Sequence, residues 1–234
     1  YAININHLRL NFNQISDFPK DLFKNMTQLK TLNLANNKIE DLPADLLKDL
    51  SDLEALYLDD NKISSLSGGS FDGLIHLEKL HLNGNSLDSL PVELFSKTDE
   101  LETLHMEELG LKTLPKGIFD NLKELRVLFM SANELEAIPE ELFKNQSKLE
   151  WLDIKYNRLA HLPLNTFDNT PALIRLELYD NQLTSQVAYQ SLMDQLVSDT
   201  NRIDGFNLFP KDTGYQKQLS VKEDTTMSLK EVSL

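Results

Sequence analysis

Two histidines, His81 and His105, stand 24 residues apart, and Glu107 follows the second by two positions. Imidazole nitrogens and a carboxylate are ligands for zinc and other transition metals. The same groups serve in acid–base proton transfer. Both chemistries need more than this. There is no third histidine in reach, no glycine-rich phosphate loop and no visible nucleophile. The chain has no cysteine, which removes thiol chemistry, Cys-ligated zinc and disulfides. His81 and His105 are therefore read as neighbouring surface residues, with no cofactor and no catalytic role. A metal-dependent enzyme built on them has the least support. Paired imidazoles would resist joint protonation while nearby acids would favour it, so pH-sensitive binding is a further expectation.

The spacing of 24 belongs to a pattern that fills most of the chain. Apolar-x-x-Leu-x-Leu-x-x-Asn-x-Leu starts at Ile5, Leu29, Leu53, Leu77, Leu101, Leu125, Leu149 and Leu173, with no insertion or deletion. A fixed period of this length marks a solenoid. The Leu-x-Leu alternation has period two, so each unit makes a short strand with leucines inward and the intervening residues outward. Asn13, Asn37, Asn61, Asn85, Asn133, Asn157 and Asn181 form one column. Their amides suit backbone groups left open where each strand ends. Prolines 19, 43, 91, 115, 139 and 163 suit the first turn of a short helical segment. Phe23, Phe71, Phe95, Phe119, Phe143 and Phe167 should fill the outer wall, with Leu47 in the same column. Two units depart from the pattern. Leu109 replaces Asn in the fifth unit and should sit in the core. Ser67-Gly68-Gly69-Ser70 replaces the proline segment of the third and should be looser.

On these residues the chain resembles the leucine-rich repeat family, over about residues 1–184, and most closely its 24-residue extracellular class, including ectodomains of the Toll-like kind. The resemblance implies an α/β solenoid: a horseshoe with a parallel β-sheet on the concave face, short helical or irregular convex segments and a buried asparagine ladder. It also implies a binding module. Extracellular animal members usually carry cysteine-sealed caps, which this chain lacks. A helix over 186–200, with an apolar face of Tyr189, Leu192, Met193, Leu196 and Val197, would cap the open core within residues 185–210. Residues 211–234 alternate as a β-rich tail or the start of a β domain. This passage is architecturally similar to exported bacterial proteins of the internalin kind. The first residue is Tyr and falls inside a repeat, so a piece of a longer protein is expected.

The outward columns make the candidate surface. Tyr57, His81, His105 and Phe129 occupy consecutive rungs of the central column, and Trp151, the only tryptophan, lies one rung on and one column aside. Tyr156 and Tyr179 extend the aromatic surface. Such residues are enriched at interface hot spots. Asp59, Asp60, Glu107, Glu108, Asp153, Glu177 and Asp180 would give the face an acidic rim. The net charge of −14 points away from phosphate backbones, and no apolar run reaches membrane-spanning length. Asn25-Met-Thr27 and Asn145-Gln-Ser147 match a glycosylation acceptor pattern, a short motif read as coincidence. The expected function is binding of a protein or surface glycan by the concave face, in a secreted or cell-surface bacterial protein, without nucleic acid or membrane insertion. The alternative is a structural spacer with no ligand of its own.

Overall fold

The computed structural model describes residues 5–19, 21–43, 45–183 and 205–207. Each unit contributes one three-residue strand: β1 (His7–Arg9), β2 (Thr31–Asn33), β3 (Ala55–Tyr57), β4 (Lys79–His81), β5 (Thr103–His105), β6 (Val127–Phe129), β7 (Trp151–Asp153) and β8 (Arg175–Glu177). They pair in sequence order, all parallel, and each residue faces its counterpart 24 positions away. A ninth strand, β9 (Gly205–Asn207), adds in parallel to β8 beyond the repeat pattern, pairing Gly205 with Arg175. Within the expected cap, residues 205–207 therefore extend the sheet. The helix expected over 186–200 and the whole of the tail expected over 211–234 lie outside the described residues.

The inward leucines form one continuous core. Leu32, Leu56, Leu80, Leu104, Leu128, Leu152 and Leu176 are fully buried beneath the strands. On the opposite wall Phe71, Phe95, Phe119, Phe143 and Phe167 stack in series, with ring centroids 6.3–6.5 Å apart. Hydrogen-bonded strands repeat at about 4.8 Å. The wider spacing on the phenylalanine side bends the stack toward its strands, which is why the sheet is concave. The convex segments contain no helix among the described residues. Pro19, Pro43, Pro91, Pro115 and Pro139 instead each open a turn, as in Leu46 N to Pro43 O and Leu94 N to Pro91 O, both i to i+3, and Pro163 O accepts from Thr166 Oγ1. Further i to i+3 bonds follow, as in Lys144 N to Glu141 O and Gln146 N to Phe143 O, but they are isolated and not consecutive, so no helix propagates.

The third unit is tighter than expected. Ser70 is buried, its hydroxyl accepts from Ser67 N at 2.9 Å, and Ser70 N donates to Ser67 O at 3.1 Å. The two serines close the turn that proline opens elsewhere. Gly73 then lies so close to the second unit that a Cβ there would sit 2.3 Å from Lys48 O.

The asparagine ladder is present and its one gap is repaired by the backbone. Asn61 Oδ1 accepts from Ile39 N of the preceding unit, while its Nδ2 donates to Leu34 O and Leu58 O. Asn37, Asn85, Asn133, Asn157 and Asn181 repeat this arrangement, whereas Asn13 in the first unit donates only within its own unit, to Leu10 O and Asn11 O. Leu109 is buried in the gap, as expected. Leu87 N, which would meet an asparagine oxygen, donates to Leu109 O at 3.0 Å. Leu109 N in turn reaches Asn133 Oδ1, which already accepts from Leu111 N.

Candidate interaction surface on the concave face

The side chains that flank each inward leucine project from the sheet into the concavity. A central ring stripe results directly from parallel in-register pairing, since identical repeat positions must become neighbours. Tyr57 and His81 have centroids 4.7 Å apart, and His81 and His105 stack at 4.0 Å with an interplanar angle of 14°. His105 meets Phe129 edge-on at 4.6 Å, and Phe129 meets Trp151 edge-on at 4.6 Å. The diagonal step from Phe129 to Trp151 joins the two columns into one run of five rings. Tyr156 and Tyr179 form a separate edge-on pair at 5.2 Å. All of these rings except Tyr156, which is exposed, are half-buried.

The acids are arranged differently from the rim expected. Asp153 is only 5% exposed, as is Glu177. Asp153 accepts from the backbone N–H and the Nζ of Lys155. Glu177 Oε1 accepts from Arg175 Nε at 3.0 Å. Burial pushes the Asp153 carboxyl above the ordinary carboxylate range, against the opposing pull of Lys155. Asp153 is thus an occupied carboxylate in the floor of the face, and not a free acid offered to a partner. The reason is tertiary: neighbouring long side chains fold over it. Arg175 lies flat over Trp151, 3.9 Å from its centroid, and Lys155 stands 5.7 Å from the Tyr179 centroid.

Asp59 and Glu107 are also largely covered, but beside histidines. His81 Nδ1 is 3.5 Å from Asp59 Oδ1, and His105 Nδ1 is 3.2 Å from Glu107 Oε1. His81, His105 and Glu107 are brought together, yet no group of three or more His, Asp or Glu side chains among the described residues has the geometry to hold a metal ion. The exposed acids are Asp60, Glu108 and Asp180, just past the strand ends.

Those last positions carry a feature that sequence reasoning missed. Phe12, Asn36, Asp60, Gly84, Glu108, Ala132, Tyr156 and Asp180 all have φ between 51° and 66°. The left-handed step turns the chain so that the following ladder asparagine enters the core. Only Gly84 is a glycine, so the usual sequence marker of that conformation is absent from the other units.

The sequence profile of the family described as Leucine rich repeat matches six overlapping stretches: residues 3–63, 29–87, 52–111, 75–135, 99–159 and 124–183. The chain belongs to the leucine-rich repeat family. Among solved structures, this leucine-rich repeat chain is similar to the Leptospira interrogans LRR protein LIC12759, with 31% identity and a TM-score of 0.72 over 81% of this chain and 46% of that one. It is similar to TLR13 in its complex with ssRNA13, with 29% identity and a TM-score of 0.73 over 77% of this chain and 25% of that one. A structure of Latrophilin 3, Unc5D and FLRT2 (LRR) in an octameric complex matches at 30% identity and a TM-score of 0.66, over 82% of this chain and 64% of that one. The chain thus spans less than two thirds of each of these relatives. No curated protein matches the chain in sequence. Leucine-rich repeat domains are commonly protein-binding modules, and no helix among the described residues is long and apolar enough to cross a membrane.

Proposed function

We propose that this leucine-rich repeat chain recognises a protein partner through its concave face, in an extracellular or bacterial surface setting, with the ring run from Tyr57 to Trp151 as the anchor. The observation that carries this reading is the run itself: five half-buried rings in mutual contact, held on a sheet that is already curved. Contiguous exposed apolar surface is a liability unless something covers it. A preformed face also lowers the ordering cost of association. Tyr156 and Tyr179 lie on the same face and would flank the anchor. The setting is supported by the similarity to a Leptospira LRR protein. Protein binding is supported by the FLRT2 complex among the similar structures. A similar fold holds ssRNA in the TLR13 structure, so the architecture alone leaves nucleic acid open. The net charge of −14 weighs for a protein or neutral glycan surface instead.

The test compares three immobilised proteins against a panel of extracellular proteins and glycans: the wild type, Trp151→Ala, and Leu164→Ala at an exposed convex leucine. The expected outcome is a ligand retained by the wild type and the convex variant, with Trp151→Ala weakened by about 1–3 kcal/mol. A ligand whose affinity is unchanged by Trp151→Ala and Phe129→Ala would place recognition elsewhere. The same result would favour a spacer role for this face.

A further inference from the structure

The concave face builds one device twice. In its C-terminal half an aromatic ring and a carboxylate clamp a cation supplied by the chain itself. Arg175 lies over the Trp151 ring and donates through Nε to Glu177 Oε1 at 3.0 Å, with Nη2 2.9 Å from the same oxygen. Lys155 pairs with Asp153 and faces Tyr179. In the other half the rings are Tyr57, His81 and His105, and the acceptors are Asp59, Asn83 and Glu107 on three successive rungs. Here no lysine or arginine of the chain takes that place among the described residues: His81 Nδ1 stands 3.5 Å from Asp59 Oδ1, and His105 Nδ1 is 3.2 Å from Glu107 Oε1. Asp59 Oδ1, Asn83 Oδ1 and Glu107 Oε2 are each buried with no hydrogen-bond donor. Buried acceptors without donors are rare because each loses its hydration for nothing in return.

We propose that the stretch of concave face walled by Tyr57, His81 and His105 and floored by Asp59, Asn83 and Glu107 receives an arginine side chain from a basic segment of a partner protein. The inference rests on the concave face being the binding surface. Charge complementarity selects the occupant: three acceptors without donors, with exposed Asp60 and Glu108 alongside, attract a cation and repel an anion. The acceptors belong to adjacent rungs, which repeat at about 4.8 Å, and the several forked donors of a planar guanidinium suit a row of acceptors better than the compact, strongly hydrated ammonium of lysine. The flat guanidinium also stacks on rings, as Arg175 does here. Lys79 is an exposed cation on the same strand as His81. It lies in the column on the other side of His81 from Asp59 and makes no ion pair among the described residues. It is the internal competitor for the site.

The test uses a Gly-Arg-Gly-Arg-Gly peptide, its lysine counterpart, and its citrulline counterpart, which keeps the shape and loses the charge. Binding is followed at low ionic strength by calorimetry and by the imidazole resonances of His81 and His105. The arginine peptide is expected to bind at least about tenfold tighter than the citrulline peptide and severalfold tighter than the lysine peptide, and to shift both histidine signals. Asp59→Asn/Glu107→Gln should lose about tenfold, while Lys79→Ala should hold or raise affinity. Asp168→Asn/Glu136→Gln removes the same charge from exposed sites elsewhere and should stay within about twofold. Thermal melts confirm that each variant is folded. Equal losses in the two double variants, equal binding of the citrulline peptide, or unmoved histidine signals would overturn the proposal. Equal binding of the lysine peptide would overturn the assignment of arginine. If Trp151→Ala abolishes capture of a natural ligand and the Asp59/Glu107 change leaves both capture and peptide binding intact, the concave surface stands and this subsite falls. If Trp151→Ala is also silent, the surface itself falls.

Discussion

Replacing Asn133 with Ala should cost far more stability than the same change at Asn157, although both asparagines are 6% exposed and occupy the same repeat position. The difference comes from Leu109. Asn133 Oδ1 accepts from Leu109 N at 3.0 Å and Leu111 N at 3.1 Å, and its Nδ2 donates to Met106 O at 2.8 Å and Met130 O at 3.1 Å. Met130 O also accepts from Asn157 Nδ2, so it keeps a donor if Asn133 is removed. Leu109 N, Leu111 N and Met106 O keep none. At Asn157 the neighbours overlap. Its carbonyl targets Met130 O and Ile154 O are shared with Asn133 and Asn181, and Lys155 O accepts from Ala132 N. Only Leu135 N depends on it alone. A buried backbone group left unpaired costs about 1–3 kcal/mol. Three such groups against one, with partial relaxation, predict that Asn133→Ala loses roughly 2–4 kcal/mol more than Asn157→Ala. Urea unfolding read by Trp151 fluorescence compares the totals. Because repeat arrays unfold with local cooperativity, hydrogen exchange at Leu109, Leu111 and Leu135 is the sharper assay. Variants that differ by less than about 0.5 kcal/mol, inside the usual range for surface changes, would refute the counting of orphaned groups.

Three further outcomes follow from packing and charge. Phe119 is fully buried between Phe95 and Phe143, at 6.3 and 6.5 Å, and its replacement by Ala should cost about 3–5 kcal/mol by thermal or urea denaturation. Gly73→Ala should destabilise by about 1–3 kcal/mol, because its Cβ would meet rigid backbone at Lys48 O; an unchanged melting temperature would show that the two units can part. Asp153 has a folded pKa above its usual 3.8, so the native state holds that proton more tightly than the unfolded chain. Its contribution to stability therefore falls as pH rises through that window and recovers as pH drops. Asp153→Asn also removes the partner of Lys155, so the expected outcome is a trend: relative to the wild type the variant should fare better near neutral pH than at about pH 4, as read by denaturation at both; a pH-independent difference would contradict the sign.

The repeat made most of this molecule legible before any coordinates. A period of 24 without insertions forces equivalent positions into register, so the strand positions, the inward leucines, the phenylalanine wall and the ring stripe follow from spacing alone. Even the buried Leu109 could be read, since a leucine in a core column has nowhere else to go. What spacing could not convey was how neighbouring side chains dispose of one another. Asp153 looks like any outward acid in the sequence, and only the fold lays Lys155 over it. The left-handed step at Phe12, Glu108 or Tyr156 carries no glycine to announce it. The repair of the ladder through Leu109 O depends on a carbonyl, which every residue possesses and no sequence pattern marks. Local periodicity determined which face each side chain would take. The occupancy of that face was decided in three dimensions, because it depends on where long flexible side chains come to lie: Arg175 satisfies Glu177, while Asp59 Oδ1, Asn83 Oδ1 and Glu107 Oε2 keep no hydrogen-bond donor.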